Sequence, residues 1–583
     1  MVSHLSDTLN TCTDDAGDLA TSLALDAIVA LCDSHTVNIT STWRVLSNKF
    51  RHEKRPRALK SLYNFFAHVP LLQTPTLEFE QLVDEALDQL WLTISRLDTD
   101  PEMIRGALSA LKHYEIGTLL TLKHIPPQFR QDLLVAREYT GPDGREVVDL
   151  QQEIIPGEVW VQLLQKIRPE CGSAAADLIA HFIYTEINGF RSGIYRLPEG
   201  RAEPRKLQGL HTPSPLRAVV SYLVSQSRYG DHIAEPIAIT NALRAISKKF
   251  PKPIPPLDWS FLHSFFHLSF DTRKYCILIA KNQLLHSGTA RRLLENFLAE
   301  FEPNCFEEDL LLLFSLLPEI SNGVSLTILK AFAEKIALYC FKESQLAGFN
   351  EGCLFEKFMD SVKYIFTGKC EVPEVLDIFT LIVERYMDAM DIDSRLFERY
   401  TEVVSVLPQN AIEGLTSPAN WWETPIGKLK KATIIRSYLV LYNTQLNNPL
   451  KWFNPIIDAY ATRKEDQLFF FRHLSSTLYA FNNDEQSCNW IMEMFIQIQA
   501  LLAESSNKDK LDKALYLLDV FILAVAVLSG CAVLLGNLDI VATQRSERNQ
   551  IFPESLQFLS DHVFWKDQEP KVSACGTVSN IAI

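Results

Sequence analysis

One helical sequence motif occurs twice in the chain, and this repetition constrains the fold more than any other feature. Pro101 begins a run in which apolar residues follow at offsets 3, 6, 7, 9 and 10, and the same run begins again at Pro236. A looser copy begins at Pro56. Proline is well tolerated at the first position of a helix, and these offsets mark one helix face. The sequence therefore predicts a stack of similar helical units.

The spacing of the copies favours a particular class of repeat. Pro56 and Pro101 lie 45 residues apart, which suits HEAT-type units of about 40–47 residues. Strand signals are confined to short segments such as IYRL and REVV, for which we expect local pairing only. We predict an all-α fold, an α-solenoid of HEAT/armadillo-like helix pairs. Stacks of this class usually serve as binding surfaces rather than as enzymes.

Turn-forming segments divide the predicted stack. Glycine and proline mark 138–157 and 187–216 as irregular, and three prolines mark 407–426 as a loop. We therefore predict five segments: N-terminal helical repeats at 1–137, a loop-rich segment with a helix pair at 138–216, central helical repeats at 217–405, C-terminal helical repeats at 406–565, and a frayed tail at 566–583.

The composition limits the classes of partner. The chain has 583 residues, a formal net charge of −15 and 47% hydrophobic residues, so it has ample apolar surface for a large core. Acidity of this degree argues against general DNA binding, which needs cations to neutralise phosphates. We expect protein partners and no DNA, with any contact to RNA only indirect.

Cysteine usage and the N-terminus indicate the compartment. The 11 cysteines are scattered without a C-x-x-C pair, as expected for small buried hydrophobes in a reducing environment. The first residues lack the basic and apolar segments of a secretory signal. These features predict a cytoplasmic protein.

One apolar run leaves two interpretations open. Residues 520–536 contain no charge, but their 17 positions fall short of the about 20 that a membrane-spanning helix needs. We expect a buried core helix here, and in this interpretation no contact with a membrane. The alternative is a membrane-associated helical protein anchored through 520–536.

The known catalytic and cofactor motifs are absent from the sequence. The sequence has no phosphate-binding loop, no G-x-S-x-G elbow and no H-E-x-x-H zinc helix. His263 and His267 share a helix face, but no cysteine or carboxylate accompanies them at metal spacing. We predict no catalytic, cofactor-binding or metal-binding residues, and no cofactor.

Two basic clusters and one tryptophan pair are candidate partner-binding residues. The basic clusters either dock an acidic partner surface or RNA backbone, or are solvated helix ends and a loop kept soluble by charge. The tryptophan pair either anchors a partner or fixes its loop to the core. The candidates are Arg51, Lys54, Arg55, Arg57, Arg196, Arg201, Arg205, Lys206, Trp421 and Trp422.

Three stretches carry a resemblance to a known family. They are IRGALSALKHYEIGTLLTLKHIPPQFR (104–130), YRLPEGRAEPRKLQGL (195–210) and ALRAISKKFPKPIPPLDWSFLHSF (242–265). They resemble the C-terminal region of focadhesins. The resemblance implies a non-enzymatic helical-repeat scaffold in the cytoplasm and at focal adhesions. Focal-adhesion proteins and the superkiller RNA-decay complex are the partners that it implies, and it supplies no active-site residues.

The length of the chain differs from that of the family it resembles. Focadhesins are much longer, with further helical repeats before this region. We therefore expect the 583 residues to be either part of a longer product or a short relative of the family.

Overall fold

The computed structural model describes residues 2–528 apart from short gaps. The gaps lie at 97, 122, 131–137, 141–145, 149–155, 190–193, 197–201, 205–206, 208–209, 233–234, 305–306, 369, 371, 417–424, 444–445, 464–465, 482 and 504–507. The chain forms two compact units. The first comprises 1–301, 306–309 and 323–325, and the second comprises 302–305, 310–322 and the described part of 326–583.

Helices make up almost all of the regular structure in the described residues. The first fourteen α-helices are α1 (Val2–Thr11), α2 (Asp18–Asp33), α3 (Ile39–Phe50), α4 (Pro56–His68), α5 (Leu77–Ser95), α6 (Pro101–Leu111), α7 (Ile116–Leu119), α8 (Pro127–Arg130), α9 (Glu158–Lys166), α10 (Gly172–Gly189), α11 (Pro215–Gln226), α12 (Pro236–Ile246), α13 (Phe270–Gln283) and α14 (Gly288–Glu300).

The remaining helices continue to Leu528. They are α15 (Glu307–Ile320), α16 (Leu326–Leu346), α17 (Leu354–Thr367), α18 (Pro373–Tyr386), α19 (Arg395–Val404), α20 (Gln409–Thr416), α21 (Ile426–Tyr442), α22 (Asn454–Ala461), α23 (Gln467–Ala480), α24 (Asp484–Ala503) and α25 (Lys508–Leu528). Short 3₁₀ helices lie at Asp15–Gly17, Val69–Leu71, Pro169–Cys171, Ser227–His232, Trp259–Phe265 and Pro449–Phe453.

The repeated sequence motif forms the helices that the sequence predicts. Pro56, Pro101 and Pro236 each stand at the first position of a helix, where the missing N–H costs nothing. The alanines at offset 6, Ala107 and Ala242, are fully buried, as are the apolar residues around them. A side chain this small lets the neighbouring helix approach closely. The prediction of similar stacked helices is confirmed.

The helices of the first unit pack in two layers. Layer A consists of α2, α4, α6, α10 and α12, and each of these packs on the next. Layer B contains α3, α5, α9 and α11, which pack on layer A through pairs such as α5 with α6 and α11 with α12. A pair of layers built from successive helices is the architecture of an α-solenoid. The predicted fold class is confirmed.

Two small hairpins interrupt the first unit. Strand β1 (Glu138–Thr140) pairs with β2 (Glu146–Val148), and β3 (Ile194–Arg196) pairs with β4 (Ala202–Pro204), both antiparallel. The segments REVV and IYRL thus each pair with a nearby strand, as the sequence predicts. Between the hairpins, α9 and α10 form the expected helix pair.

Gly157 ties the start of α9 to the segment before α11. Its N–H donates to the carbonyl of Thr212 at 3.0 Å, and a Cβ at this position would lie 2.5 Å from the carbonyl oxygen of Ser214. The backbone cannot move aside as a flexible side chain can. We therefore expect Gly157→Ala to lower the free energy of unfolding by about 1–3 kcal/mol. Urea unfolding followed by circular dichroism measures this loss. Gly189→Ala, where the added Cβ would meet nothing within 4 Å, is the matched control. Equal midpoints for the two variants would contradict the steric explanation.

The second unit is built in the same manner. Helices α17, α19, α21, α23 and α25 pack on one another in succession, while α16 packs on α18. Helix α20 occupies most of the first half of the segment that we expected to be a loop at 407–426. Lys431 on α21 is buried, and its ammonium group donates to the carbonyl oxygens of Met387 and Asp388 just after α18. Orphan carbonyls at a helix end are thereby satisfied.

The apolar run at 520–536 is described only as far as Leu528. Within α25, Val520, Phe521, Ala524 and Val525 are fully buried, as expected for a core helix. None of the helices in the described residues has the length and apolar character needed to cross a membrane. Residues 529–536 lie outside the described part of the chain.

Candidate functional site

Three neighbouring helices of layer A enclose a groove on the surface of the first unit. The groove has a volume of about 610 Å³, and side chains of α2, α4 and α6 line it. We call it the α2–α4–α6 groove. Its polar lining includes Ser22, Asp26, Arg57, Lys60, Asn64 and Ser109.

Helical periodicity explains why these side chains share one surface. On α4 the residues Arg57, Lys60 and Asn64 recur at intervals of three and four, which places them on the face opposite the buried Phe65 and Phe66. On α6, Ser109 lies on the corresponding outward face. The repeat that buries one face of each helix therefore also aligns the polar faces of successive helices.

Gly106 sets the depth of the groove. A Cβ at Gly106 would lie 3.1 Å from Cδ2 of Tyr63, so a larger residue would push α6 away from α4 or displace the ring. Below this contact, the hydroxyl of Tyr63 lies 3.0 Å from Thr93 Oγ1, and the hydroxyls of Ser22 and Ser61 lie 2.8 Å apart. These bonds connect neighbouring elements and give the groove a well-defined floor.

The lining carries an excess of positive charge. Arg57 and Lys60 are exposed cations and His113 is an exposed imidazole, whereas Asp26 is the acidic residue among the lining side chains. In the described part of the chain, neither Arg57 nor Lys60 has a carboxylate within ion-pair distance. The groove is therefore locally positive on a chain whose net charge is −15.

A row of three histidines extends this surface from α4 to α10. Burial first, and then the positive charges of His68, His181 and Lys112, lower the pKa of His113. Burial and Lys112 also lower the pKa of His181, although a hydrogen bond with the backbone of Lys112 acts in the opposite direction. His68 is anchored by Asp33, whose carboxylate lies 3.5 Å from its Nε2. An added negative charge at this row favours the protonated imidazoles.

A second groove lies on the other side of α4. It has a volume of about 730 Å³, and Arg51 and Lys54 are among its lining residues. Acidic residues such as Glu53, Glu85 and Asp88 also line it. Arg51 pairs with Glu85 at 3.0 Å. Because its charges are mixed and partly paired, this groove selects for neither sign of ligand.

The side chain of Arg55 is held in structural hydrogen bonds and is not free to bind a ligand. Its guanidinium group donates to Glu53 at 2.7 and 3.0 Å, and to the carbonyls of Cys12 and Asp14 at 2.9 and 3.0 Å. It also donates to Thr21 Oγ1 at 3.2 Å. Arg55 thus ties the start of α4 to the connection between α1 and α2, away from either groove.

We expect Arg55→Ala to lower the free energy of unfolding by about 2 kcal/mol, because several charge-assisted hydrogen bonds are lost together. Burial acts to raise the pKa of Glu53, but the hydrogen bonds from Arg55 and Lys54 outweigh it and lower that pKa. The contribution of this pair is therefore complete above about pH 4.3 and is lost as the pH falls through the lowered pKa. Urea midpoints at pH 7 and pH 4 measure it. An effect no larger than that of exposed Lys54→Ala would contradict this role.

The second basic cluster and the tryptophan pair lie almost entirely outside the described residues. Arg196 lies in β3, with its side chain outside the description, and the other members of its cluster lie outside the described residues. Trp421 and Trp422 also lie outside them. Their proposed role in partner binding stays a prediction. The members of the Arg196 cluster that lie outside the described residues are Arg201, Arg205 and Lys206.

Sequence reasoning missed the main features of the groove. It placed Arg57 and Lys60 in one basic cluster but did not identify His113 and the hydroxyl side chains as parts of the same surface. A detectable signal was present, since polar residues recur on the face opposite the repeated apolar motif. Among the described residues, no group of three or more histidine, cysteine or carboxylate side chains is arranged to hold a metal ion.

The layered helix pairs and the surface grooves define an α-helical repeat protein of the α-solenoid class. Residues 1–111 match the family model described as Focadhesin/RST1, DUF3730. Focadhesin of Mus musculus is 31% identical over 195 residues, and that of Homo sapiens is 30% identical over 195 residues. Each alignment covers 33% of this chain and 10% of the relative. The chain is similar to focadhesins over these residues, and its match spans a tenth of the length of these relatives.

The position of the match corrects one expectation. We expected a correspondence with the C-terminal region of focadhesins, but the family model matches the N-terminal residues 1–111 of this chain. That part of the prediction was wrong, because helical packing patterns recur along a repeat protein and do not identify one region of it. A solved structure of the karyopherin Kap121p, bound to the SUMO protease Ulp1p, has a TM-score of 0.35 at 10% identity and covers 100% of this chain and 66% of its own.

Proposed function

We propose that this protein is a non-enzymatic helical-repeat scaffold that binds other proteins through layer A of its first unit. The observation that carries the proposal is the α2–α4–α6 groove. It is open to solvent, built on three rigid helices, and lined by polar side chains without a nucleophile paired to a base. A surface of this kind suits docking better than turnover.

The proposal also covers the identity of the partner proteins and the location of the protein in the cell. The family resemblance implies focal-adhesion proteins or the superkiller complex as partners, with a cytoplasmic location that includes focal adhesions. The five-segment organisation predicted from the sequence belongs to the same proposal. The described helices support the absence of a membrane span as far as Leu528. An anchor through 520–536 is the alternative function.

Site-specific crosslinking in cells tests the docking proposal. A photoreactive amino acid is placed at Ser109, which is exposed in the groove, and separately at Val45, which is 72% exposed on α3 of layer B. We expect discrete protein adducts, identified by mass spectrometry, at Ser109 and not at Val45. Equal adduct patterns at the two positions, or adducts at neither, would overturn the assignment of layer A as the docking face.

A further inference from the structure

We propose that the α2–α4–α6 groove binds an acidic peptide segment of a partner protein, with its carboxylates at Arg57, Lys60 and His113. This inference rests on the proposed scaffold function, to which it adds one site and one class of ligand.

Charge complementarity is the first support. Arg57 and Lys60 lie one turn apart on α4, so their charged groups project from the same side of the groove. Two other arginines of the first unit are compensated internally: Arg51 pairs with Glu85, and Arg244 pairs with Asp177 at 3.0 Å. In the described part of the chain, Arg57 and Lys60 have no such partner. Two uncompensated cations facing a groove provide a binding site for carboxylates.

The groove also supplies groups that suit a peptide backbone. The side-chain amide of Asn64 and the hydroxyl of Ser109 are exposed, and within the described residues neither has a hydrogen-bond partner. An amide group both donates and accepts, as a peptide backbone requires. These two side chains lie on facing helices, α4 and α6. An extended segment placed between them has bonding partners along both edges.

Apolar residues on α2 extend the contact surface. Leu19 and Leu23 are 51% and 61% exposed, and they lie within one turn of the lining residues Ser22 and Asp26. Covering these leucines with apolar side chains of a ligand removes apolar surface from water. The preferred segment therefore combines acidic residues with neighbouring apolar ones.

The lining favours a peptide over single-stranded RNA. Proteins that bind single strands without strict sequence preference stack the bases on exposed aromatic rings. Tyr63 is the aromatic residue of this lining, but it is 4% exposed and its hydroxyl contacts Thr93. Apart from the single imidazole of His113, the described lining offers no exposed ring on which bases could stack.

The histidine row makes the proposed binding dependent on pH. His113 faces His68 of α4 and His181 of α10, with Lys112 beside it on its own segment, and Asp33 compensates His68. Burial and these positive neighbours lower the pKa of His113 and so favour its neutral form in the free protein. Bound carboxylates stabilise its protonated form, so affinity rises as the pH falls from about 7.5 to 6, where glutamates stay ionised.

Fluorescence anisotropy with the full chain tests the proposal. The probe is a labelled peptide of six glutamates flanked by leucines, and peptides with glutamine or lysine in place of glutamate serve for comparison. We expect the glutamate peptide alone to bind, more weakly at high salt and more tightly at pH 6 than at pH 7.5. The double variant Arg57→Glu with Lys60→Glu is expected to lose affinity at least about tenfold, as is the uncharged blocking variant Ser109→Trp.

A matched double variant separates the groove from net charge. Lys249→Glu with Arg292→Glu changes the charge equally at two exposed positions of the same unit, and we expect less than a twofold change in affinity. Circular dichroism and urea midpoints establish that every variant is folded. Equal losses in the two double variants would overturn the assignment of the groove.

Two further outcomes separate this inference from the scaffold proposal. Tighter binding of an oligouridine RNA than of the glutamate peptide, with the same dependence on Arg57 and Lys60, would overturn the peptide assignment. Protein adducts at Ser109 without binding of the glutamate peptide would overturn the acidic ligand class and leave the scaffold function standing. If neither protein adducts at Ser109 nor binding of the glutamate peptide is observed, both the scaffold function and the acidic ligand class are overturned.

Discussion

Replacing Arg436 by alanine is expected to lower the free energy of unfolding by about 3–5 kcal/mol, because it opens a cavity in the core and removes buried hydrogen bonds. Arg436 lies on α21 and is 2% exposed. Its Nε donates to Thr416 Oγ1 at 2.9 Å and its Nη1 donates to the carbonyl oxygen of Trp452. Its guanidinium carbon lies 5.2 Å from the centre of the Trp452 ring.

Burial lowers the pKa of the Arg436 guanidinium to about 10. A charge held in this way persists only while its surroundings supply acceptors. The loss of Arg436 leaves a buried carbonyl unsatisfied and opens a cavity between α20, α21 and the 3₁₀ helix at Pro449–Phe453.

Urea unfolding of the full chain, followed by circular dichroism, measures the effect of the Arg436 variants. Arg436→Met fills most of the space without the hydrogen bonds, and we expect its loss to fall below that of Arg436→Ala. Arg385→Ala is the control for loss of an arginine in the same unit, because Arg385 is largely exposed and pairs with Glu334 at 3.2 Å. We expect the control to cost about 0–1 kcal/mol. An Arg436→Ala midpoint equal to that of the control would contradict the structural role.

Helical periodicity and proline placement were enough to predict the fold class and most helices from the sequence. Proline positions were less informative where they were interpreted only as breaks. Pro408 suggested a loop, yet it precedes α20 (Gln409–Thr416), since proline also suits the start of a helix. Helix α19 was missed although Leu396, Phe397 and Tyr400 follow helical spacing and are buried. Its short length and polar flanks weaken the periodic signal.

The candidate site was harder to predict because it depends on contacts between distant segments. Arg51, Arg55 and Arg57 are close in sequence, but a turn and the start of α4 send them to three different surroundings. Lys60 and His113 are 53 residues apart in the sequence and line the same groove. Sequence patterns give the outward face of each helix, whereas the pairing of faces follows from the packing of layer A.

An aromatic cluster in the first unit provides a second large expected effect. Trp160 on α9 is fully buried, with its ring centre 6.4 Å from that of Trp91 on α5 and 5.2 Å from that of Phe182 on α10. Trp91 in turn lies 6.1 Å from Phe129 of α8. The cluster joins helices on both sides of the hairpin that contains β1 and β2. Trp160 is therefore central to the packing of this part of the unit.

We expect Trp160→Ala to lower the free energy of unfolding by about 3–5 kcal/mol, because it opens a large cavity and removes two ring contacts. Within the described residues, Trp160 Nε1 has no hydrogen-bond partner, so Trp160→Phe removes volume without breaking such a bond. The phenylalanine variant should lose only about 1–2 kcal/mol. Urea midpoints from circular dichroism measure both, with Tyr184→Ala on exposed α10 surface as the control. If the phenylalanine and alanine variants lost equal stability, the indole N–H rather than the ring volume would be the stabilising group.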